Sequence, residues 1–236
     1  MTRVAIMQPT YLPWLGYFGL MQSVDLFILL DSVQFARRSW QQRNQVKTAN
    51  GPLWLSVPVL SKGKRTQLIS EVEIDYSQEF FRSHQKTLEI NYNKTTYFQD
   101  FSPELFATLS DQKQHLSELT ISLICWLRDT LGITTPIKLA SELNGKGAKA
   151  DLLASLCQEV NATEYISPPG SKEYLDESTA FSQCNIPVRY FHFSHPEYRQ
   201  CFGTFLSNMS IIDMLFNCGK DSLMLINNGC TISCST

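Results

Sequence analysis

A cluster of cationic side chains is the part of the sequence best suited to chemistry. A guanidinium group binds a phosphate through two parallel hydrogen bonds, and an indole ring stacks on a base or a sugar. The cluster therefore predicts a small phosphate-bearing substrate, such as a nucleotide or a nucleotide-activated sugar. The alternative is a solvated hairpin whose alternating cations protect an edge strand. Eleven positions hold four of the chain's 20 basic residues together with a tryptophan: Arg37, Arg38, Trp40, Arg43 and Lys47.

Two histidines and one aspartate are the candidates for catalysis. His195 lies in a polar loop after a predicted strand, which is where catalytic groups of α/β proteins are often found. His84 lies on one face of a predicted helix, and an imidazole titrates near neutral pH. Asp31 ends the second predicted strand. A structural role is the alternative for both histidines.

Further polar and aromatic residues follow predicted strands or begin predicted helices. In a parallel sheet such positions meet at one edge, where helix N-termini also favour anions. The alternatives are a loop-closing hydrogen bond for Gln8, core packing for Tyr11 and Trp14, and capping alone at the last helix. The predicted substrate-binding residues outside the cationic cluster are Gln8, Tyr11, Trp14, Gln34, Gln41, Tyr198, Gln200 and Ser210.

Motifs of several common enzyme classes are absent. The sequence has no G-x-S-x-G, no G-x-x-x-x-G-K, no G-x-G-x-x-G and no H-E-x-x-H. These absences argue against four enzyme classes: serine hydrolases, P-loop ATPases, dinucleotide-dependent dehydrogenases and zinc proteases. No metal site is predicted, and the suspected nucleotide or nucleotide-sugar is the only ligand expected.

Charge and composition exclude broad classes of partner. The 20 basic and 22 acidic residues give a net charge of -2, so no global basic field would hold bulk nucleic acid. No apolar run approaches the roughly 20 residues that span a bilayer. Seven cysteines, an odd number in apolar surroundings, favour reduced thiols and predict a cytoplasmic protein.

The elements that must position these residues alternate between strands and helices. Residues 4–7, a helix from Pro13 to about residue 23, and residues 25–31 form a βαβ unit, which is typical of a parallel sheet. Around Asn50-Gly51 the sequence predicts a β-hairpin inserted at about residues 41–60.

The rest of the chain adds a helical segment and then resumes the alternation. We expect a mainly parallel, Rossmann-like α/β sheet with an inserted hairpin and an inserted helical segment at about residues 78–132. Residues after 221 show no strong pattern. The remaining predictions are strands at 72–75, 137–139, 164–167 and 186–193, and helices at 78–92, 103–109, 116–131, 147–160 and after Ser210.

Several stretches resemble one protein family. Residues 4–18 (VAIMQPTYLPWLGYF), 30–35 (LDSVQF), 195–200 (HPEYRQ) and 206–213 (LSNMSIID) are similar to the WbqC-like protein family. The resemblance covers nearly the whole chain and implies one WbqC-like domain over residues 1–236. It also implies a bacterial origin and a place among the clusters that build surface polysaccharide, including lipopolysaccharide O-antigen. Many members carry a histidine where this chain has Met7, so any role of that histidine is absent here.

The order of the elements also resembles nucleotidylyltransferases and class I synthetases. The first loop of those enzymes carries His-Ile-Gly-His, and here Trp14 and Tyr17 replace the two histidines. Because such histidines stabilise phosphate charge during adenylyl transfer, the arginines of the cationic cluster would have to do so instead.

Two functions follow as hypotheses. One is an enzyme of surface-glycan assembly that binds a nucleotide or nucleotide-activated sugar and transfers an acyl, aminoacyl or nucleotidyl group. The other is a non-catalytic partner that binds the glycan or a glycosyltransferase, which the absence of a recognised catalytic motif supports.

Overall fold

The structure, a computed structural model, describes residues 1–234 and is built on a six-stranded sheet. Its strands are β1 (Arg3–Met7), β2 (Leu26–Leu29), β5 (Ile137–Leu139), β6 (Glu164–Ser167), β7 (Val188–Phe193) and β8 (Cys230–Cys234), in the order β5-β2-β1-β6-β7-β8. Strands β3 (Arg43–Thr48) and β4 (Gly51–Ser56) form a separate hairpin. The helices are α1 (Leu15–Gln22), α2 (Phe80–Tyr92), α3 (Phe98–Ser110), α4 (Leu116–Thr130), α5 (Ala150–Glu159), α6 (Lys172–Asp176), α7 (Ala180–Gln183), α8 (Ile211–Cys218) and α9 (Ser222–Asn228).

The mainly parallel, Rossmann-like sheet is confirmed. Strands β5, β2, β1, β6 and β7 are parallel to their neighbours, and β8 alone runs antiparallel, beside β7. Both faces of the sheet are covered, which requires side chains of both orientations to be apolar. In β1, Val4 and Ile6 pack in the core on the α5 side, whereas Ala5 packs in the larger core that contains α1 and α8.

The two insertions lie where the sequence predicts them, with shifted boundaries. The hairpin pairs Thr48 with Gly51, and Gly51 has the positive φ of +98° that the turn requires. Helix α3 begins five residues before the predicted start at Pro103, so Pro103 lies inside the helix, where it cannot donate a backbone hydrogen bond. The strand predicted at residues 72–75 is wrong: Glu73 and Ile74 form only isolated bridges.

The C-terminal region contains two elements that the sequence pattern does not reveal. Helix α9 and strand β8 follow Asp221, and β8 pairs with β7 from Arg189 to Phe193. The thiols of six cysteines are free, whereas the prediction of a reduced thiol at Cys234 lies outside what the structure describes. Within residues 1–234, no helix combines the length and apolar character needed to cross a membrane.

Candidate functional site

A cavity opens where two neighbouring strands of the sheet separate. Strands β1 and β6 pair only through Arg3 with Glu164 and Val4 with Tyr165, whereas β1 pairs with β2 along four residues. Strand β2 follows β1 in the chain and lies on one side of it, whereas β6 lies on its other side. The strand order therefore reverses between β1 and β6, which makes this position the switch point of the sheet. Ligands of open α/β sheets bind at such points, beyond the carboxyl ends of the strands.

The cavity has a volume of about 460 Å³ and a largely apolar wall. None of its lining residues carries a charge; the polar ones offer amide and hydroxyl groups. This wall suits an uncharged ring system that forms a few hydrogen bonds. The lining residues are Ile6, Met7, Gln8, Thr10, Trp14, Leu30, Ser39, Trp40, Gln41, Leu153, Tyr165, Pro168, Ser171, Tyr174 and Asn208.

Two predicted residues, Gln8 and Gln41, form an ordered amide pair in this wall. Gln41 Nε2 donates to Gln8 Oε1 at 2.8 Å, and Gln41 Oε1 accepts from the Ala36 amide at 2.9 Å. These bonds fix which end of each amide is the donor. Gln8 is exposed and its Nε2 has no partner among residues 1–234, so it can donate to a ligand.

Two buried hydroxyl groups in the wall lack a partner. Thr10 Oγ1 and the Tyr165 hydroxyl are shielded from solvent and form no hydrogen bond with the described residues. Burial raises the pKa of Tyr165 well above its ordinary value, so the phenol stays protonated and can donate. The nearby Ser167 side chain lowers that pKa to a smaller extent. Its hydroxyl, however, donates to the Pro168 carbonyl at 3.1 Å and not to Tyr165. Because an unmet buried hydroxyl is unfavourable, a ligand that moves the covering wall residues aside would gain a hydrogen bond from either group.

Trp14 lines the cavity, and His195 packs against it from behind. The rings of Trp14, Phe193 and His195 pack against one another, with the Trp14 centroid 5.5 Å from each of the other two and those two 5.1 Å apart. Gly16 makes room for this indole, since a Cβ at Gly16 would lie 2.2 Å from it. Burial lowers the pKa of His195, partly offset by Asn208, and His195 Nε2 is buried without a partner. His195 is thus a mainly neutral imidazole behind the wall, next to a residue that lines it.

The structure divides the cationic cluster among three places. Arg37 and Arg38 are exposed, their guanidinium groups have no partner within residues 1–234, and they directly precede the wall residues Ser39 to Gln41. Arg43 stacks on Trp54, with its Cζ 4.2 Å from the ring centroid. Lys47 is only 1% exposed and lies away from the cavity wall.

Lys47 belongs to a buried polar network with two other predicted residues. Its Nζ donates to Gln200 Oε1 at 3.2 Å, and Gln200 and Tyr198 both donate to Asp213 Oδ2. Burial raises the pKa of Asp213, whereas the hydrogen bonds from Tyr198, Tyr92 and Gln200 and the charge of Lys47 lower it. The network joins the hairpin to α8, which makes Lys47, Tyr198 and Gln200 supports of the fold here.

Five further predicted residues lie outside the cavity wall. Asp31 accepts from the Ser141 amide at 2.9 Å and from its hydroxyl at 2.6 Å. His84 lies 2.8 Å from the buried Tyr11 hydroxyl, and burial lowers the pKa of His84 to about 4. Gln34 donates to the Arg65 carbonyl, and Ser210 caps α8 while donating to the Leu12 carbonyl. The structure gives each of them an internal partner.

The sequence reasoning missed several wall residues. Thr10, Tyr165, Tyr174 and Asn208 line the cavity, and the only sequence signals for them are that Thr10 follows β1 and Asn208 precedes α8. Tyr165 lies inside a strand that reads as ordinary core, and its unpartnered hydroxyl is visible only in three dimensions.

Comparison with known proteins agrees with the sequence pattern. Residues 8–224 match the WbqC-like protein family. The chain belongs to that family. An uncharacterized protein of Mycobacterium tuberculosis is 37% identical to this WbqC-like chain over 224 residues, which cover 94% of the chain and 96% of the relative. No solved structure matches it.

Proposed function

We propose that this WbqC-like protein is an enzyme of bacterial surface-glycan biosynthesis that binds a nucleotide or nucleotide-activated sugar at the switch-point cavity. One observation supports this most: a neutral cavity with two hydroxyls that lack a partner lies beside two arginines whose guanidinium groups also have no partner within residues 1–234. The base or sugar ring would occupy the cavity and bond to Gln8, Thr10 and Tyr165. The phosphates would extend toward Arg37 and Arg38, where guanidinium groups bind them bidentately.

The proposed chemistry is transfer of an acyl, aminoacyl or nucleotidyl group in the cytoplasm, close to other glycan-assembly enzymes. His195 would move the proton, because burial lowers its pKa and it packs against Trp14, which lines the cavity. A neutral imidazole can accept a proton at physiological pH.

Calorimetric titration with UDP-N-acetylglucosamine, GDP-mannose, dTDP-glucose, CMP-sialic acid and ATP tests the binding step. We expect at least one of them to bind, and the double change Arg37→Ala with Arg38→Ala to weaken that binding tenfold or more, by analogy with other charge-assisted hydrogen bonds of about 1.5–3 kcal/mol. Arg82→Ala is the control, because Arg82 is equally exposed and lies on α2. No binding by any of these ligands would refute the proposal.

The absence of charged side chains from the cavity wall also favours a second candidate, a non-catalytic module that binds the glycan or a glycosyltransferase. His195→Gln separates the two in cells that lack the native gene. An enzyme would lose complementation while the purified variant still binds its ligand, whereas a binding module would keep both.

A further inference from the structure

The surface beside the cavity is strongly basic, although the chain as a whole is acidic. Residues 32–70 contain seven basic residues and no acidic one, whereas the rest of the chain contains 13 basic and 22 acidic residues. Lys47 is buried and Lys64 pairs with Glu73. The other five form no ion pair within residues 1–234: Arg37, Arg38, Arg43, Lys62 and Arg65.

Two loops bring these cations together. The Phe35 amide donates to the Gln67 carbonyl at 3.0 Å, and Gln34 donates to the Arg65 carbonyl at 2.8 Å. The loop of residues 62–66 therefore runs beside the segment that leads to Arg37. Such an uncompensated positive field attracts an anionic partner.

Two exposed indoles form a platform within this basic surface. Trp40 is 46% exposed and Trp54 is 39% exposed, and their ring centroids lie 5.2 Å apart. Arg43 and Trp54 share one face of the hairpin, because Gln45 pairs directly with Trp54 and Arg43 lies two residues before it. Arg43 Nε is buried without a partner, and the stacked guanidinium forms no ion pair with residues 1–234, so the described residues leave its charge free for a ligand.

The platform continues directly into the cavity, because Trp40 also lines the cavity wall. A second substrate lying on the platform would therefore reach the ligand in the cavity. Large exposed apolar side chains that adjoin a pocket commonly mark a binding surface. Indole rings bind the flat C–H faces of sugar rings by burying apolar area, and the arginines would bind an attached anion.

We propose that Trp40, Trp54 and Arg43 form the acceptor subsite, and that the acceptor is a saccharide bearing a carboxylate or phosphate. The inference rests on the proposed function and adds the class of the second substrate. Two adjacent rings offer room for one or two sugar units, whereas specific nucleic-acid interfaces usually bury about 600 Å² of protein or more. A saccharide therefore fits the platform better than a nucleic acid does.

Calorimetry at low salt tests the inference with trigalacturonate, maltotriose, glucose 1-phosphate and decathymidylate as probes. We expect trigalacturonate or glucose 1-phosphate to bind, and neutral maltotriose to bind at least about fivefold more weakly. The two anionic probes distinguish a carboxylate from a phosphate. Trp54→Ala should weaken the binding about fivefold or more, and Trp54→Phe should retain most of it, because a ring remains to stack.

Matched surface variants serve as controls. Ile90→Ala removes another exposed apolar side chain, and Arg82→Ala removes another arginine, which lies over the Phe81 ring. Neither should change binding, whereas Arg43→Ala should weaken it. The inference is overturned if neither anionic saccharide binds, if Trp54→Ala and Arg43→Ala leave binding unchanged, or if decathymidylate binds more tightly than both saccharides.

Titration of Trp54→Ala with nucleotide-sugars distinguishes failure of the two proposals. Nucleotide-sugar binding that survives Trp54→Ala, with no saccharide binding to the wild type, leaves the proposed function standing and refutes the acceptor subsite. Saccharide binding that depends on Trp54, with no nucleotide-sugar binding, refutes the proposed function instead.

Discussion

The unpartnered hydroxyl of Tyr165 allows a test in which stability and affinity change in opposite directions. Tyr165 is fully buried, lines the cavity and forms no hydrogen bond with residues 1–234. Tyr165→Phe removes that hydroxyl and keeps the ring that stacks on Phe181 at 4.8 Å. Because an unmet buried polar group costs about 1–3 kcal/mol, its removal should leave the free energy of unfolding unchanged or raise it.

The same change should weaken ligand binding. A hydrogen bond to a neutral ligand group contributes about 0.5–1.5 kcal/mol, which corresponds to a two- to twelvefold increase in Kd. Calorimetric titration with the nucleotide-sugar that binds best measures that increase, and urea unfolding measures the stability.

Tyr11→Phe is the matched control, because Tyr11 is equally buried but its hydroxyl lies 2.8 Å from His84 Nδ1. Losing that bond leaves a buried imidazole nitrogen unpaired, so we expect a loss of about 2 kcal/mol and a fall in Tm of roughly 4–8 °C. The reasoning is refuted if Tyr165→Phe destabilises the protein as much as Tyr11→Phe does, or if it leaves affinity unchanged.

Three further outcomes follow from the site and its supports. Asp31→Ala should lower the free energy of unfolding by about 2–4 kcal/mol, because both Ser141 donors lose a charged partner; a urea titration that shows less than 0.5 kcal/mol would contradict this structural role. Burial lowers the pKa of His84 to about 4 from 6.5, so its stabilising contribution is complete above pH 6.5 and is lost as the pH falls toward 4. Between pH 7.5 and pH 5 the free energy of unfolding should therefore fall by about 2 kcal/mol more in the wild type than in His84→Gln. An equal fall in the two proteins would contradict this. Lys47→Met should lower the free energy of unfolding by about 3 kcal/mol, because it removes the only cation of the Asp213 network among the described residues. An unchanged free energy in urea unfolding would show that the lysine is dispensable.

The sheet and the site differ in how far sequence could predict them. The βαβ unit and the hairpin follow from local patterns, such as the apolar run in β2 and the glycine turn at Gly51. Strand β8 was not predicted, because its short, polar-rich segment becomes a strand only through pairing with β7. Tertiary context decides such edge strands more than propensity does.

The candidate site was predicted in part, for a physical reason. Gln8, Trp14 and Gln41 follow strand ends or precede the hairpin, and the structure places all three in the cavity wall. Lys47 and Arg43 lie four residues apart and therefore on the same face of β3, yet Gln200 and Thr204 cover Lys47, whereas Arg43 stacks on the exposed Trp54. One sequence shows that cations are close along the chain, but not which of them a segment about 150 residues later will cover.

The Lys47 network decides whether the hairpin can be removed or exchanged on its own. The hairpin enters the chain between β2 and β5, which suggests a module that could be excised or exchanged. Lys47, however, meets partners that lie more than 150 residues later, at Gln200 and in the backbone of Thr204. Deleting the hairpin would remove Lys47, the cation near the Asp213 carboxylate. It would also remove the contacts that hold the loop of residues 200–210, which ends at the Ser210 cap of α8. Grafting experiments on this scaffold should therefore transplant the hairpin and the 198–213 segment as one unit.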